Sequence, residues 1–337
     1  MAGKLILAIL AAGALPGAFA QSTQKLYGVM DAGFSYSNGN SAGALTSLES
    51  GIESGPRLGL KGEEELGDGL RAIYVLEAGI NINDGTSGQG GRLFGRQAFA
   101  GFSGVWGTTT MGRQYTPIFL AYDSIDPFNT GTTGDMTTLF GRNSGFASID
   151  TRMDNAIVYS SPVTTGNFSA SVAYSFGGQS GDVSADSQSG LSLRYLNGPV
   201  KVVYAYHEMN NASSLIDTST YKSHFLGSVV DAGKVRLHLA FDQTTQGEGY
   251  KSQSYLLGFT LPSGQDSFFG DYKYTENRHA GAMNSGQYAL GYNYYLSRHT
   301  NLYAAVSYTL NDADSSVNTD VAGKSVTRVQ LGLRHIF

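Results

Sequence analysis

The sequence predicts an all-β chain closed into a sixteen-stranded antiparallel transmembrane β-barrel, and three observations carry that reading. First, the stretch KVRLHLAFD (Lys234 to Asp242) puts Val235, Leu237, Leu239 and Phe241 on one face and Lys234, Arg236, His238 and Asp242 on the other. That alternation is the mark of a strand with one apolar and one polar face. Second, segments of this kind and length recur about sixteen times along the chain. Third, the connections between them alternate between tight turns and long polar loops, as they do when short periplasmic turns face long external loops. In a water-soluble sandwich the apolar face would be the core. Here the aliphatic face is expected to meet lipid and the charged face to meet water inside the barrel. Both faces are satisfied only if the sheet closes, because an open edge in hydrocarbon leaves backbone groups unpaired.

The first element is a leader. MAGKLILAILAAGALPGAFA has a basic residue (Lys4), an apolar stretch from Leu5 to about Leu15 and the small-residue ending Ala18-Phe19-Ala20. This reads as a secretory signal over 1–20, cut between Ala20 and Gln21 and followed by a barrel over 21–337. The formal charge of −5 becomes −6 once Lys4 leaves. With no cysteine, the chain uses no disulfides even in a compartment that permits them. After the leader no run of 18 apolar residues follows, so no transmembrane helix is expected. The abundance of glycine (45) and tyrosine (21) over proline (7) favours strands joined by turns. The mean hydropathy of −0.16 suits a wall half lipid-facing and half wet.

Strands are expected near 26–37, 56–63, 68–80, 92–103, 107–114, 152–160, 166–176, 188–196, 199–209, 221–231, 234–243, 250–260, 265–276, 284–295, 299–310 and 325–337. In 221–231 the alternation is blurred. Tight connections carry turn residues: Gly67-Asp68-Gly69, Ser103-Gly104, Asn197-Gly198-Pro199, Asp231-Ala232-Gly233 and Pro262-Ser263-Gly264. Long polar segments at 38–55, 81–91, 115–151, 177–187, 210–220, 244–249, 277–283 and 311–324 alternate with them. Tyr27, Tyr159, Tyr195, Tyr250 and Tyr294 lie near strand ends and are expected in aromatic girdles. Trp106 sits in a tight turn and reads as an interface anchor.

Six blocks resemble a known family: LYGVMDAGFSY (26–36), GPRLGLKGEEELGDGLRAIYVLEAG (55–79), LFGRQAFAGFSG (93–104), GTTTMGRQYTP (107–117), RMDNAIVYSSP (152–162) and the terminal LGLRHIF (331–337). Taken in order they are similar to the general-diffusion porins of β-proteobacteria, the Neisseria, Bordetella and Burkholderia type. The resemblance implies a homotrimer in the outer membrane that lets ions and small hydrophilic solutes diffuse passively. It also implies a third external loop folded inward to narrow the pore, which here is 115–151. That loop is the longest connection and holds Ile118, Phe119, Leu120, Phe128, Leu139 and Phe140, which suits packing against a wall.

A pore selects through charge at its narrowest point. The loop offers Asp123, Asp126 and Asp135, while Arg57, Arg96 and Arg152 fall in the family blocks that supply the basic wall. Lys61, which shares a face with Arg57 and Glu63 against Leu58 and Leu60, and Arg71 are expected to extend that wall. Arg113 shares the parity of Met111, which puts it on the lipid or subunit face unless Gly112 marks a bulge. Three acids against at least three arginines predict weak ion selectivity. Gln97, Thr108 and Thr110 are expected on outer faces covered by neighbouring subunits. The terminal Phe337 resembles the strand signal read by the barrel-assembly machinery.

Other chemistry finds little support. His207, His224, His238, His279, His299 and His335 are scattered, and neither H-E-x-x-H nor G-x-S-x-G occurs. There is no phosphate-binding G-x-x-x-x-G-K-[ST], and the acidic balance argues against nucleic acid. No cofactor or metal is implied, and the aspartates of 311–320 read as solvated loop. A substrate-specific channel remains the alternative within the transport class, and a barrel hydrolase or adhesin the alternative outside it.

Overall fold

The computed structural model describes residues 22–141, 150–211, 218–247, 249–278 and 283–337. The expected leader (1–20) and residues 142–149 of the expected constriction loop lie outside the described residues. Strands run β1 Ser22–Asn40, β2 Gly43–Ser50, β3 Arg57–Gly67, β4 Leu70–Gly79, β5 Gln97–Gly104, β6 Gly107–Tyr115, β7 Arg152–Ser160, β8 Phe168–Ser175 and β9 Gln188–Asn197. They continue as β10 Val200–Met209, β11 Tyr221–Asp231, β12 Arg236–Gln246, β13 Tyr250–Ser263, β14 Asp266–Asn277, β15 Ser285–Tyr295, β16 Thr300–Asn311 and β17 Val326–Ile336.

These segments make sixteen staves, because β2 and β3 are two halves of one. Both pair with β1, through Ala32↔Ser50 and Val29↔Arg57, and the chain leaves the sheet between them at 51–56. Every stave is antiparallel to its neighbours, and β17 pairs back onto β1 from Val29↔Ile336 to Ser37↔Arg328. At the seam, Gly28 and Phe337 exchange backbone hydrogen bonds of 2.9 and 3.1 Å. The Phe337 ring covers Gly28 so closely that a Cβ there would lie 2.3 Å from it. The barrel is closed.

KVRLHLAFD behaves as its pattern requires. Leu237 and Leu239 stand on the outer surface, 43% and 49% exposed, while His238 and Asp242 are buried inside. The blurred strand 221–231 is regular too, with Tyr221, Ser223, Phe225, Gly227 and Val229 all facing inward. Its pattern is blurred because an inward loop covers this part of the wall, so the lumen face is partly apolar.

Several expectations are corrected. The segment 38–55 is no loop: β1 and β2 continue past the barrel rim to a turn at Ser41-Ala42, since strands beyond hydrocarbon need no apolar face. Gln97 pairs with Glu77, Thr110 with Gly101 and Thr108 with Ser103, so all three lie on lumen parity rather than the outer face. Tyr27 and Tyr250 also point inward, where their hydroxyls donate to Glu77 (2.9 Å) and Asn277 (2.5 Å). Counting from strand ends misplaces such residues because the hairpin register, not the end, sets parity.

Gly112 does mark a bulge. The β6–β7 register slips between Gly112 and Gln114, and Gly112 has φ +131 with its backbone against the Ala98 carbonyl. A Cβ there would sit 2.2 Å from that oxygen. The slip turns Arg113 into the lumen, away from Met111, which remains exposed outside. Gly112→Ala should therefore cost on the order of 2 kcal/mol and lower the temperature at which the folded band is lost in heat-modifiability electrophoresis. An unchanged transition would show that the bulge tolerates a side chain.

Candidate functional site

After β6 the chain enters the lumen. The Thr116 hydroxyl caps a helix, Pro117–Ile125, by accepting the Phe119 N–H at 3.3 Å, with Pro117 in the first turn where no N–H is missed. The helix buries Ile118, Ala121, Tyr122 and Ile125 against Val203, Ala205, Phe225, Val229, Ala240 and Leu256 of β10–β13. Tyr122 donates its hydroxyl to Asp242 (2.8 Å), and the His238 ring meets the Ile125 carbonyl at 2.6 Å. Of the loop apolar residues, Ile118, Phe128, Leu139 and Phe140 are buried, whereas Leu120 is 45% exposed toward the pore and Phe119 stacks on Tyr115.

Beyond the helix the loop is sewn to the wall. Lys273 donates to the carbonyls of Gly134 and Asp135. Ser254 and Thr275 both reach the Leu139 carbonyl, and Tyr221 donates to that of Gly141. Thr133 bonds Ser307 on the far wall, while the Thr132 N–H donates to the Ile52 carbonyl in the strand break 51–56. That break is itself held by Asp31, which accepts the N–H groups of Glu53 and Ser54. Glu53 in turn accepts from Asn293 and Asn301. The open passage is thus bounded by the loop on one side and by β3–β7 on the other.

The expected site residues take distinct places. Arg96 is buried and forms an ion pair with Glu77 at 2.8 Å, and it also donates to the Tyr115 hydroxyl at 2.6 Å. Arg113 and Arg92 share Asp154, at 2.5 and 2.7 Å. Arg57 donates to the Ser54 hydroxyl (2.6 Å), its one side-chain hydrogen bond among the described residues. Arg152 bonds the Tyr115 hydroxyl (3.0 Å) and lies over its ring. Neither Arg57 nor Arg152 has a carboxylate partner among the described residues. Lys61 stands over the Tyr27 ring, and Arg71 pairs with Glu63.

Among the loop acids, Asp123 is half-buried and accepts from Thr130, and burial pushes its carboxyl up. Asp135 caps a short 3-10 turn by accepting the Thr137 N–H at 2.7 Å. Asp126 is the exception. It is 2% exposed, and its carboxyl takes the backbone N–H groups of Phe128, Thr130 and Met136 at 3.0, 2.9 and 2.8 Å. It is turned from the passage because three unpaired N–H groups of the tight 126–136 turn need an acceptor there. Burial pushes it up to about 8 despite the neighbouring Lys273 ammonium. Of the groups that organise the arginines, Glu77 and Tyr115 are absent from the sequence reading and Asp154 enters it only as sharing the face of Arg152, because only the register of four strands brings them to one level.

A family model described as Gram-negative porin matches residues 7–314. An outer membrane porin protein of Bordetella pertussis is 32% identical, covering 100% of both chains. Outer membrane porin protein 32 of Delftia acidovorans is 30% identical over 99% of each. Among solved structures, an anion-selective porin from Comamonas acidovorans superposes with a TM-score of 0.83 at 28% identity, covering 94% of this chain and 100% of that one.

Removing the Asp126 acceptor should loosen the loop. Asp126→Ala leaves three N–H groups unpaired, at about 1–3 kcal/mol for each that stays dry, and should raise open-channel current noise while leaving the reversal potential in place. The pH dependence has a definite sign. A folded-state value near 8, above the ordinary carboxyl range near 4, stabilises the loop fully below about pH 4 and loses that contribution as pH rises through 8. Noise should therefore rise between pH 6 and 9 in the wild type, and Asp126→Asn should flatten that rise. A noise level independent of pH in the wild type would contradict this account of Asp126.

Proposed function

We propose that this chain, which belongs to the Gram-negative porin family, is an outer-membrane passive-diffusion channel with a modest preference for small hydrophilic anions. The observation that carries the preference is the unequal pairing at the narrow passage. Arg57 and Arg152 stand there without carboxylate partners among the described residues, while Asp126 is withdrawn into the loop and only Asp123 and Asp135 are left to oppose them. Arginine keeps its charge when crowded by other cations, so these two groups, each near Arg96 on the basic wall, remain attractive to anions. The resemblance to an anion-selective relative agrees with this reading. Arg96, Arg113 and Lys61 add to the basic wall, but the first two are largely neutralised by Glu77 and Asp154.

The same reading includes a secretory leader over 1–20 and assembly as a homotrimer. Support for the trimer comes from the outer face of β3–β6. Five outward positions there are small (Gly62, Ala72, Ala78, Ala98, Ala100), and beside them lies a groove of about 490 Å³ bordered by Tyr74, Phe102 and Met111. Elsewhere outward positions are mainly Leu, Tyr and Phe, as lipid contact favours. Phe337, seated over Gly28 at the seam, is assigned to the signal read by the barrel-assembly machinery through strand addition.

Arg57→Ala and Arg152→Ala should each shift the zero-current potential in a potassium chloride gradient toward cations, and the double variant should shift it further. Identical potentials in all four proteins would refute the preference. Deleting Phe337 should reduce insertion into the outer membrane severalfold more than it reduces the conductance of the channels that do form. Normal insertion of that deletion would leave Phe337 only a seam-closing role.

A further inference from the structure

In the described strands, lysine and arginine face the lumen with two exceptions. Lys25, Arg57, Lys61, Arg71, Arg152, Arg194, Lys201, Arg236, Lys273, Arg328 and Arg334 lie on inward parity, and the Gly112 bulge brings Arg113 inward as well. Lys222 of β11 and Lys251 of β13 are the exceptions. Their chain neighbours Tyr221, Ser223, Tyr250 and Ser252 are buried toward the lumen, so the two lysines point out.

The two share one register row. Lys222 stands opposite Thr245 of β12, and Thr245 stands opposite Lys251. Arg278, immediately after β14, donates its backbone N–H to the Lys251 carbonyl at 2.8 Å and brings a third exposed cation to the row. All three lie at the long-loop end of the barrel. Four residues deeper on the same faces is the row Leu226, Phe241, Tyr255 and Tyr274, the outer aromatic belt. Between the two rows come His224, Gln243, Gln253 and Glu276. Four residues of tilted strand lift the cations roughly 10 Å above the belt. That is the layer of lipid headgroups, not hydrocarbon.

We propose that this row is a docking surface for the phosphate-bearing headgroup of an anionic outer-leaflet lipid. Lys222 and Lys251 are two strands apart, about 9.5 Å between Cα atoms, a span that two lysine side chains close onto one phosphate. The Thr245 hydroxyl lies between them, and the Gln243 and Gln253 amides lie below to hydrogen-bond the headgroup. Glu208 and Glu276 flank the row at 3.8 Å from Lys222 and 3.3 Å from Arg278, but all four side chains keep a third or more of their surface exposed, and such pairs are weak and screened. Lys251 has no ion-pair partner among the described residues. The surface lies eight staves from the small-residue face of β4, half the circumference away, so lipid reaches it in a trimer built on that face.

The test uses the full-length mature protein in phosphatidylcholine vesicles doped with a bisphosphorylated glycolipid, followed by gentle extraction and native mass spectrometry. Each cation near an anionic surface is worth about fivefold in binding. With two flanking carboxylates, Lys222→Gln/Lys251→Gln should retain about tenfold less glycolipid than wild type. The difference should collapse in molar salt. A double variant at the opposite rim, Lys234→Gln/Arg298→Gln, removes the same charge and should retain glycolipid like wild type. Equal retention in wild type and Lys222→Gln/Lys251→Gln overturns the proposal, as does an equal loss in the control, which would mean net charge alone. Displacement by millimolar inorganic phosphate also overturns it in favour of a free-anion site. Wild-type conductance of the double variant excludes misfolding as the cause. If that conductance is lost, Lys251→Gln alone decides, with a threefold drop expected and no drop overturning the proposal.

Discussion

Closure of the hydrogen-bond ladder is the constraint on which everything else in this molecule depends. In hydrocarbon no water is present to satisfy a strand edge, so β17 must return to β1, and the Gly28–Phe337 exchange completes the ring. Once the ring is closed, side-chain parity acquires a fixed meaning along every stave. Alternate residues meet lipid, and the rest face an enclosed aqueous volume. Leu237 and Leu239 on one side of β12 and His238 and Asp242 on the other are the local form of that rule.

An enclosed volume of this kind conducts solutes only as its narrowest section permits, and here two inward departures of the chain make that section. The loop after β6 crosses the lumen and is fastened to β10–β16, while the break at 51–56 meets it from the other side through Ile52 and Thr132. The fastening uses buried polar groups, such as Lys273, Ser254, Thr275 and Asp242, which a water-filled lumen would otherwise solvate. Their burial under the loop explains why the lumen face of β10–β14 is a mixture of apolar and polar residues. Charge at the passage is then set less by how many ionisable groups the chain carries than by which of them already have partners.

The sequence by itself determined the all-β class, the number of staves and the alternation of turns and loops, whereas the inward loop was legible through the family resemblance of its flanking blocks. It could do so because a period of two and turn chemistry are local properties, and closure follows from them by physical necessity. It also exposed the possibility of a bulge at Gly112, since a cation on the lipid face demands one.

Tertiary structure alone decided where charge is neutralised. Glu77 meets Arg96, and Asp154 meets both Arg92 and Arg113, only because pairing register places residues from β4 to β7 at one height. Asp126 looked like a pore acid because it sits in an acidic loop, yet it folds back to satisfy three backbone N–H groups whose need arises only when the turn forms. Gln97, Thr108 and Thr110 changed faces for a similar reason, since a shift of one residue in counting inverts every side chain. Local periodicity fixes which residues share a face, whereas partners across the lumen depend on register, and register is a property of the closed sheet.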